Sequence, residues 1–204
     1  MSNPYLRLLM LTLVRIPIAL ILLMWLLATE YSPATLTVTL LLLVMIELSD
    51  FLDGFIARKY KLTSELGATL DPYADSTARL ITYTALAFDN LALMAVPIVM
   101  AIRDVTVAYT RVIVTRSGQS ASAHISGKAK AVVQAVGAFL LVLSPVFWPV
   151  REKSIFETLM FLDIFKPAPV LVISWIVILV TLASMIEYIF RAIPAMGAGL
   201  PKRR

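Results

Sequence analysis

The sequence predicts an all-α integral membrane protein, a bundle of six transmembrane helices with a short N-terminal interfacial helix. Hydrophobic residues make up 60% of the 204 residues and charged residues only 15%. The mean hydropathy is +0.88, so the composition is far more apolar than that of a soluble domain. The apolar residues form six stretches of about 20 residues, the length that crosses a bilayer.

Each apolar stretch is interpreted as one span of a single membrane domain that covers residues 1–204. The predicted spans are residues 9–28, 34–57, 69–89, 92–115, 128–148 and 168–192. The segment Ser2–Leu8 precedes the first span and is predicted to lie on the membrane surface. Pro4 suits the start of a helix there, because the first helical position needs no backbone N–H.

The charged loops predict how the spans are oriented. Basic residues concentrate on one side, around Arg7, residues 58–61, residues 116–130 and residues 191–204. The positive-inside rule then places both termini in the cytoplasm, which an even number of spans also requires. We therefore expect a multi-pass protein of the inner, cytoplasmic membrane.

The composition also excludes several classes of site. The chain has no Cys and one His, so disulfides, thiolate metal sites and multi-His zinc sites are excluded. The net charge of +5 does not indicate nucleic acid, because the basic residues lie in short loops between apolar runs. That placement favours contact with anionic lipid headgroups.

Carboxylates next to an apolar run give the strongest indication of a site. Asp50 and Asp53 are three residues apart, and Asp71 and Asp75 are four apart. On helices, both spacings place the two carboxylates of a pair on one face. Charge so close to the membrane is costly and indicates function. Two facing pairs would form an oxygen-rich pocket that suits Mg²⁺ or Mn²⁺.

The wider pattern around these aspartates resembles the signature of a known family. The segment reads Asp50-x2-Asp53-Gly54-x2-Ala57-Arg58-x8-Gly67-x3-Asp71-x3-Asp75. It is similar, at every motif position of residues 50–75, to the CDP-alcohol phosphatidyltransferase family. The resemblance implies a six-span membrane enzyme that displaces CMP from CDP-diacylglycerol with a hydroxyl acceptor. A homodimer fits the family, although no motif specifies one.

The resemblance also implies roles for these residues. Two divalent ions, Mg²⁺ or Mn²⁺, would be ligated by Asp50, Asp53, Asp71 and Asp75. The implied CDP-binding residues are Asp53, Gly54, Ala57, Arg58, Ser64 and Gly67. Asp75 is also the implied catalytic base, which takes the proton of the acceptor hydroxyl. Gly54 leaves room for the nucleotide beside the backbone, and Arg58 would pair with the diphosphate.

Basic residues further along the chain bear on the acceptor. They are Arg103, which precedes Asp104, together with Arg111, Lys128 and Lys130. With Gly127 and Gln134, they resemble the pattern of one subgroup of the family, the bacterial phosphatidylglycerophosphate synthases. The implied acceptor is sn-glycerol 3-phosphate, whose phosphate the four cations would bind. Inositol phosphate is the alternative, and serine fits less well because it carries no phosphate.

Other interpretations of single residues stay open. Arg103 and Asp104 are also interpretable as a structural ion pair, and Arg111 as a snorkelling side chain. Arg15 is interpretable as a surface anchor, and Tyr188 as an aromatic residue of the membrane interface. These alternatives need the tertiary structure to be tested.

One position departs from the pattern of that subgroup. The subgroup usually has Lys after the fourth aspartate, where this chain has Ser76, and Arg79 one turn later is a candidate substitute for that charge.

A cation transporter with an acidic site is the alternative of a different class. It does not account for Gly54, Arg58 and Gly67, which a cation path does not need.

Overall fold

In the computed structural model, residues 4–60, 65–116, 125–147 and 166–198 are described, and all regular elements in these ranges are α-helices. The helices are α1 (Pro4–Leu13), α2 (Arg15–Ala28), α3 (Pro33–Tyr60), α4 (Glu65–Phe88), α5 (Ala95–Arg116), α6 (Ile125–Phe147) and α7 (Ala168–Ala198). The predicted all-helical class is confirmed for this part of the chain.

Helices α1 and α2 form an almost continuous rod that is interrupted at Val14. Pro17 explains the interruption, because it has no N–H to donate to the carbonyl of Leu13. Val14 keeps helical angles, φ −60° and ψ −24°, and its N–H donates to the carbonyl of Met10 at 3.0 Å. The helix predicted at residues 2–8 therefore extends to Leu13, and its position at the membrane surface stays a prediction.

Four stretches of the described helices are long and apolar enough to cross a membrane. They are Leu8–Ala28, Pro33–Tyr60, Ala129–Phe147 and Ala168–Pro194. These helices indicate a multi-pass membrane protein. The other two long helices, α4 and α5, have 24 and 22 residues, so they too have the length of a span. Their charged residues make them less apolar, and several of these residues belong to the candidate site.

The helices pack as two groups that meet at α4. Helix α2 packs most extensively on α4 and also on α3, whereas α5 and α6 both pack on α7. Helix α4 also contacts α5 and α6. Its buried face is rich in alanine, as at Ala74, Ala78 and Ala85, and small residues let helices approach closely. Within the bundle, Arg79 of α4 thereby contacts both Glu47 of α3 and the carbonyl of Ala131 of α6.

Gly137 lies where α6 approaches both α4 and α7. A Cβ at this position would lie 2.8 Å from Tyr83 Oη and 2.9 Å from Val177 Cγ2. Tyr83 cannot move away freely, because its hydroxyl donates to the carbonyl of Gln134 at 2.7 Å. We expect Gly137→Ala to destabilise the protein by about 1–3 kcal/mol through overpacking, seen as a lower melting temperature in detergent.

The matched control for that substitution is Gly54→Ala. A Cβ on Gly54 would meet only the flexible end of the Arg58 side chain, at 3.4 Å. Its melting temperature should stay near that of the wild type. Equal melting temperatures for the wild type and the Gly137 variant would contradict the packing argument.

Candidate functional site

Three of the predicted aspartates come together at the junction of α3 and α4. Asp50 and Asp53 lie one turn apart on α3, and α4 brings Asp71 beside them. One carboxylate oxygen from each lies within 4.8 Å of the other two. The side chain of Asp53 is 5% exposed, whereas those of Asp50 and Asp71 are 42% and 56% exposed. The pocket therefore has a buried floor and an open side.

Arg15, the first residue of α2, lies among these three carboxylates and is 1% exposed. Its Nη1 donates to Asp50 Oδ1 at 2.6 Å, and its Nη2 donates to Asp53 Oδ2. Asp71 Oδ1 lies 3.5 Å from the same Nη2. The surface-anchor interpretation of Arg15 is therefore wrong. The guanidinium offsets the repulsion between the carboxylates, as expected of an arginine buried in an apolar helix.

The fourth aspartate, Asp75, has a different environment. Arg79 Nε donates to Asp75 Oδ1 at 2.8 Å, and Arg79 Nη1 lies 3.3 Å from Glu47 Oε1. Asp75 is outside the group of oxygens within 4.8 Å of one another, so a four-aspartate ligand set stays a prediction. Arg79, the candidate substitute for the charge that Ser76 does not carry, therefore pairs with the fourth aspartate, and its role in place of the subgroup's usual lysine stays a prediction.

The described residues that are predicted to bind CDP lie near the same ends of α3 and α4 as the carboxylates. Gly54, Ala57 and Arg58 lie in the last two turns of α3, and Gly67 lies in the first turn of α4. The Arg58 side chain is exposed, and its guanidinium lies beside Gly54. Ser64 lies outside the described residues. The two helix ends thus leave an accessible surface with a cation next to the carboxylates.

A second charged cluster lies between α5, α6 and α7. Arg103 Nη1 donates to Asp104 Oδ1 at 2.7 Å, and Lys130 Nζ donates to the same oxygen at 3.0 Å. Arg103 Nη2 also donates to Ser184 Oγ at 2.9 Å. Arg103 and Lys130 are buried. Two of the predicted acceptor residues, Arg103 and Lys130, therefore belong to one cluster, and the side chain of Lys128 lies outside the described part.

Tyr188 of α7 joins Arg111 to this second cluster. Arg111 Nη2 donates to Tyr188 Oη at 3.3 Å, and both Arg103 and Arg111 lie over the tyrosine ring. Tyr188 is 7% exposed, so the interpretation as an interface aromatic is wrong. The spacing of Ser184 and Tyr188, four residues apart in an apolar helix, is the signal that indicates a shared polar face.

Arg79 brings the environment of Asp75 close to the second cluster. Arg79, which holds Asp75, also donates from Nη1 to the carbonyl of Ala131 at 3.0 Å. Ala131 follows Lys130 directly, so the environment of Asp75 and the second cluster are adjacent across α6. Sequence reasoning missed Glu47, although an acid one turn before Asp50 in an apolar helix is a recognisable signal.

The fold and the site define a class, a helical multi-pass membrane protein whose carboxylate pocket adjoins a buried basic cluster. The chain belongs to the CDP-alcohol phosphatidyltransferase family, whose family model matches residues 9–196. This family uses divalent metal ions. The donor set fits such ions, because three carboxylate oxygens within 4.8 Å of one another are the hard ligands that Mg²⁺ and Mn²⁺ prefer; in this structure the same carboxylates pair with Arg15.

Similar proteins carry names for one activity within the family. The CDP-diacylglycerol–glycerol-3-phosphate 3-phosphatidyltransferase of Mycoplasma genitalium is 31% identical over 108 residues, 53% of this chain and 44% of the relative. The probable phosphatidylglycerophosphate synthase of Mycobacterium tuberculosis is 30% identical over 152 residues, 74% of this chain and 63% of the relative. In both, the match covers less than two thirds of the relative's own length.

Proposed function

We propose that the protein transfers the phosphatidyl group of CDP-diacylglycerol to sn-glycerol 3-phosphate. The products are phosphatidylglycerophosphate and CMP. The observation that carries the proposal is the convergence of Asp50, Asp53 and Asp71 within 4.8 Å, because they belong to the family signature. The names of the similar proteins favour this acceptor within the family.

The reaction makes one bond to phosphorus and breaks another. A hydroxyl oxygen of the acceptor attacks the phosphatidyl phosphorus, the bond from that phosphorus to CMP breaks, and the hydroxyl proton passes to Asp75. Divalent ions held by the aspartates would neutralise the diphosphate and the charge that develops on CMP. Arg58 adds a cation next to the same pocket, and its guanidinium suits a diphosphate oxygen.

The charge of the second cluster matches a phosphorylated acceptor. Arg103, Arg111 and Lys130 carry three positive charges, and Asp104 offsets one, which leaves a net charge of +2. A phosphate monoester carries up to two negative charges. The Nε atoms of both arginines are buried without a hydrogen-bond partner among the described residues. Buried donors cost free energy unless they are paired, so they are available to hold an anion.

The position of Asp75 supports its role as the base. Arg79 places its carboxylate apart from the other three, and the same arginine contacts α6 next to Lys130. An acceptor whose phosphate lies in the basic cluster can thus present its hydroxyl near Asp75. A base must come within hydrogen-bond reach of the proton that it takes. This arrangement favours Asp75 over Asp50, Asp53 and Asp71.

The membrane arrangement follows the same proposal. Helices α4 and α5 complete six spans with the four apolar stretches, and their Arg79 and Arg103 are buried in the bundle interior, where charged residues of membrane helices usually lie. Both termini and the site then face the cytoplasm of a cell with an inner membrane. Water-soluble glycerol 3-phosphate reaches the site from that side, and CDP-diacylglycerol reaches it from the lipid. A homodimer stays a prediction.

The decisive experiment supplies the purified protein with CDP-diacylglycerol, Mg²⁺ or Mn²⁺, and one radiolabelled acceptor at a time. We expect CMP release with a labelled lipid product for glycerol 3-phosphate, less with inositol phosphate, and none with serine. Release with serine alone would contradict the acceptor assignment. Failure to bind CDP or CMP in the presence of Mn²⁺, together with cation flux in vesicles, would instead favour the transporter.

A further inference from the structure

We propose that Tyr188 is a positioning residue that holds Arg103 and Arg111 in the arrangement that binds the acceptor phosphate. The proposal rests on the proposed function, because that function identifies the anion of this cluster. Tyr188 does not belong to the family signature, and it lies on α7, more than a hundred residues after the aspartates.

The contacts of Tyr188 reach both arginines. The guanidinium carbon of Arg103 lies 5.4 Å from the ring centre, and that of Arg111 lies 5.5 Å from it. The hydroxyl of Tyr188 accepts a hydrogen bond from Arg111 at 3.3 Å. The two arginines are eight residues apart on α5, and their like charges repel. An aromatic ring within about 6 Å attracts both cations and stabilises them beside each other.

The chemical nature of the ring is important for an anion site. A carboxylate in the place of Tyr188 would hold the arginines equally well, but it would cancel part of their positive charge. The ring attracts the guanidinium groups through its quadrupole and carries no net charge. Tyr188 therefore fixes Arg103 and Arg111 and leaves their charge available to a phosphate.

Tyr188 also connects the arginines to the start of α6. A Cβ on Gly127 would lie 3.4 Å from Tyr188 Oη, so the hydroxyl is next to the segment Gly127–Lys130. Ser184, one turn earlier on the same face of α7, accepts a hydrogen bond from Arg103. Helix α7 thus orients the cations that α5 supplies and brings them to the lysine that α6 supplies.

The test compares two substitutions that remove different parts of the side chain. Tyr188→Phe removes the hydroxyl and keeps the ring, and Tyr188→Leu removes the ring as well. We expect the KM for glycerol 3-phosphate to rise about threefold to tenfold in the first variant and about tenfold to a hundredfold in the second. The KM for CDP-diacylglycerol should stay within about twofold of the wild-type value in both, since that substrate binds at the aspartates.

Phe190→Leu is the matched control, because Phe190 lies on the same helix and is 67% exposed. Both of its Michaelis constants should equal those of the wild type. The proposal is wrong if the KM for glycerol 3-phosphate and the KM for CDP-diacylglycerol rise together in Tyr188→Leu. It is also wrong if the KM for glycerol 3-phosphate is unchanged in that variant while the melting temperature falls. Tyr188→Phe keeps the packing of the ring. An unchanged KM for glycerol 3-phosphate in this variant would show that the hydroxyl has no role, and it would overturn the proposal in its present form.

The failure of this proposal is distinguishable from failure of the proposed function. If the wild-type protein releases no CMP with any phosphorylated alcohol, the function is wrong and the role of Tyr188 falls with it. If the wild type turns over and the Tyr188 variants behave as the wild type does, the function stands and this proposal alone is wrong.

Discussion

Asp71→Asn is expected to lower the rate of CMP release by roughly a thousandfold or more. Asp71 supplies the most exposed of the three clustered carboxylates, on the open side of the pocket. A bound metal ion contributes several kcal/mol to the stabilisation of the transition state, and each 1.4 kcal/mol is a tenfold change in rate. An amide cannot replace the charge of the carboxylate, so metal binding and rate should fall together.

The measurement is CMP release by the purified variant at saturating Mn²⁺, with Mn²⁺ affinity from titration calorimetry. Glu30→Gln is the control, because Glu30 is an exposed acid in the α2–α3 loop and its loss should leave both quantities unchanged. Because Asp71 is exposed, its substitution should not impair folding. Release at the wild-type rate by Asp71→Asn would refute the metal-site assignment.

The aspartate trio was predictable from the sequence because its geometry is mostly local. The three-residue spacing of Asp50 and Asp53 fixes them on one face of any helix. The short connection between α3 and α4 then brings Asp71 back to the same end of the bundle. Both facts follow from chain connectivity and helix geometry, so no knowledge of the tertiary packing was needed.

The partners of these aspartates were not predictable in the same way. Arg15 is 35 residues from Asp50 in sequence, and its place in the pocket depends on how α2 packs between α3 and α4. A single arginine in an apolar run suits a membrane anchor as well as a buried ion pair. Only the burial of its guanidinium decides between these interpretations.

The number of spans shows where hydropathy and function conflict. Helix α4 carries Asp71 and Asp75, and α5 carries Arg103, Asp104 and Arg111, so these two helices are less apolar than the other long helices. Chain length and loop positions still indicated them in the sequence as spans. The site thus accounts for the weak hydropathy of α4 and α5, because an ionic site requires charged residues on the helices that form it.

Asp75→Asn is expected to lower the turnover rate by about 10²–10⁴-fold, the usual contribution of a general base, with little loss of CDP affinity. Arg79 holds the Asp75 carboxylate away from the other three, so the variant keeps the clustered oxygens. The amide oxygen introduced by the substitution would still accept a hydrogen bond from Arg79, which preserves the local packing, but the amide cannot take a proton. The measurement compares CDP binding with Mn²⁺, by calorimetry, with turnover on the same preparation.

Asp71→Asn and Asp75→Asn are expected to differ in their effect on CDP binding. Loss of a metal ligand should weaken CDP binding and lower the rate together, whereas loss of the base should lower the rate alone. If CDP affinity in Asp75→Asn falls as far as it does in Asp71→Asn, Asp75 acts as a ligand in solution. The proton of the acceptor must then pass to another group, and the separation of Asp75 by Arg79 would serve the fold rather than the chemistry.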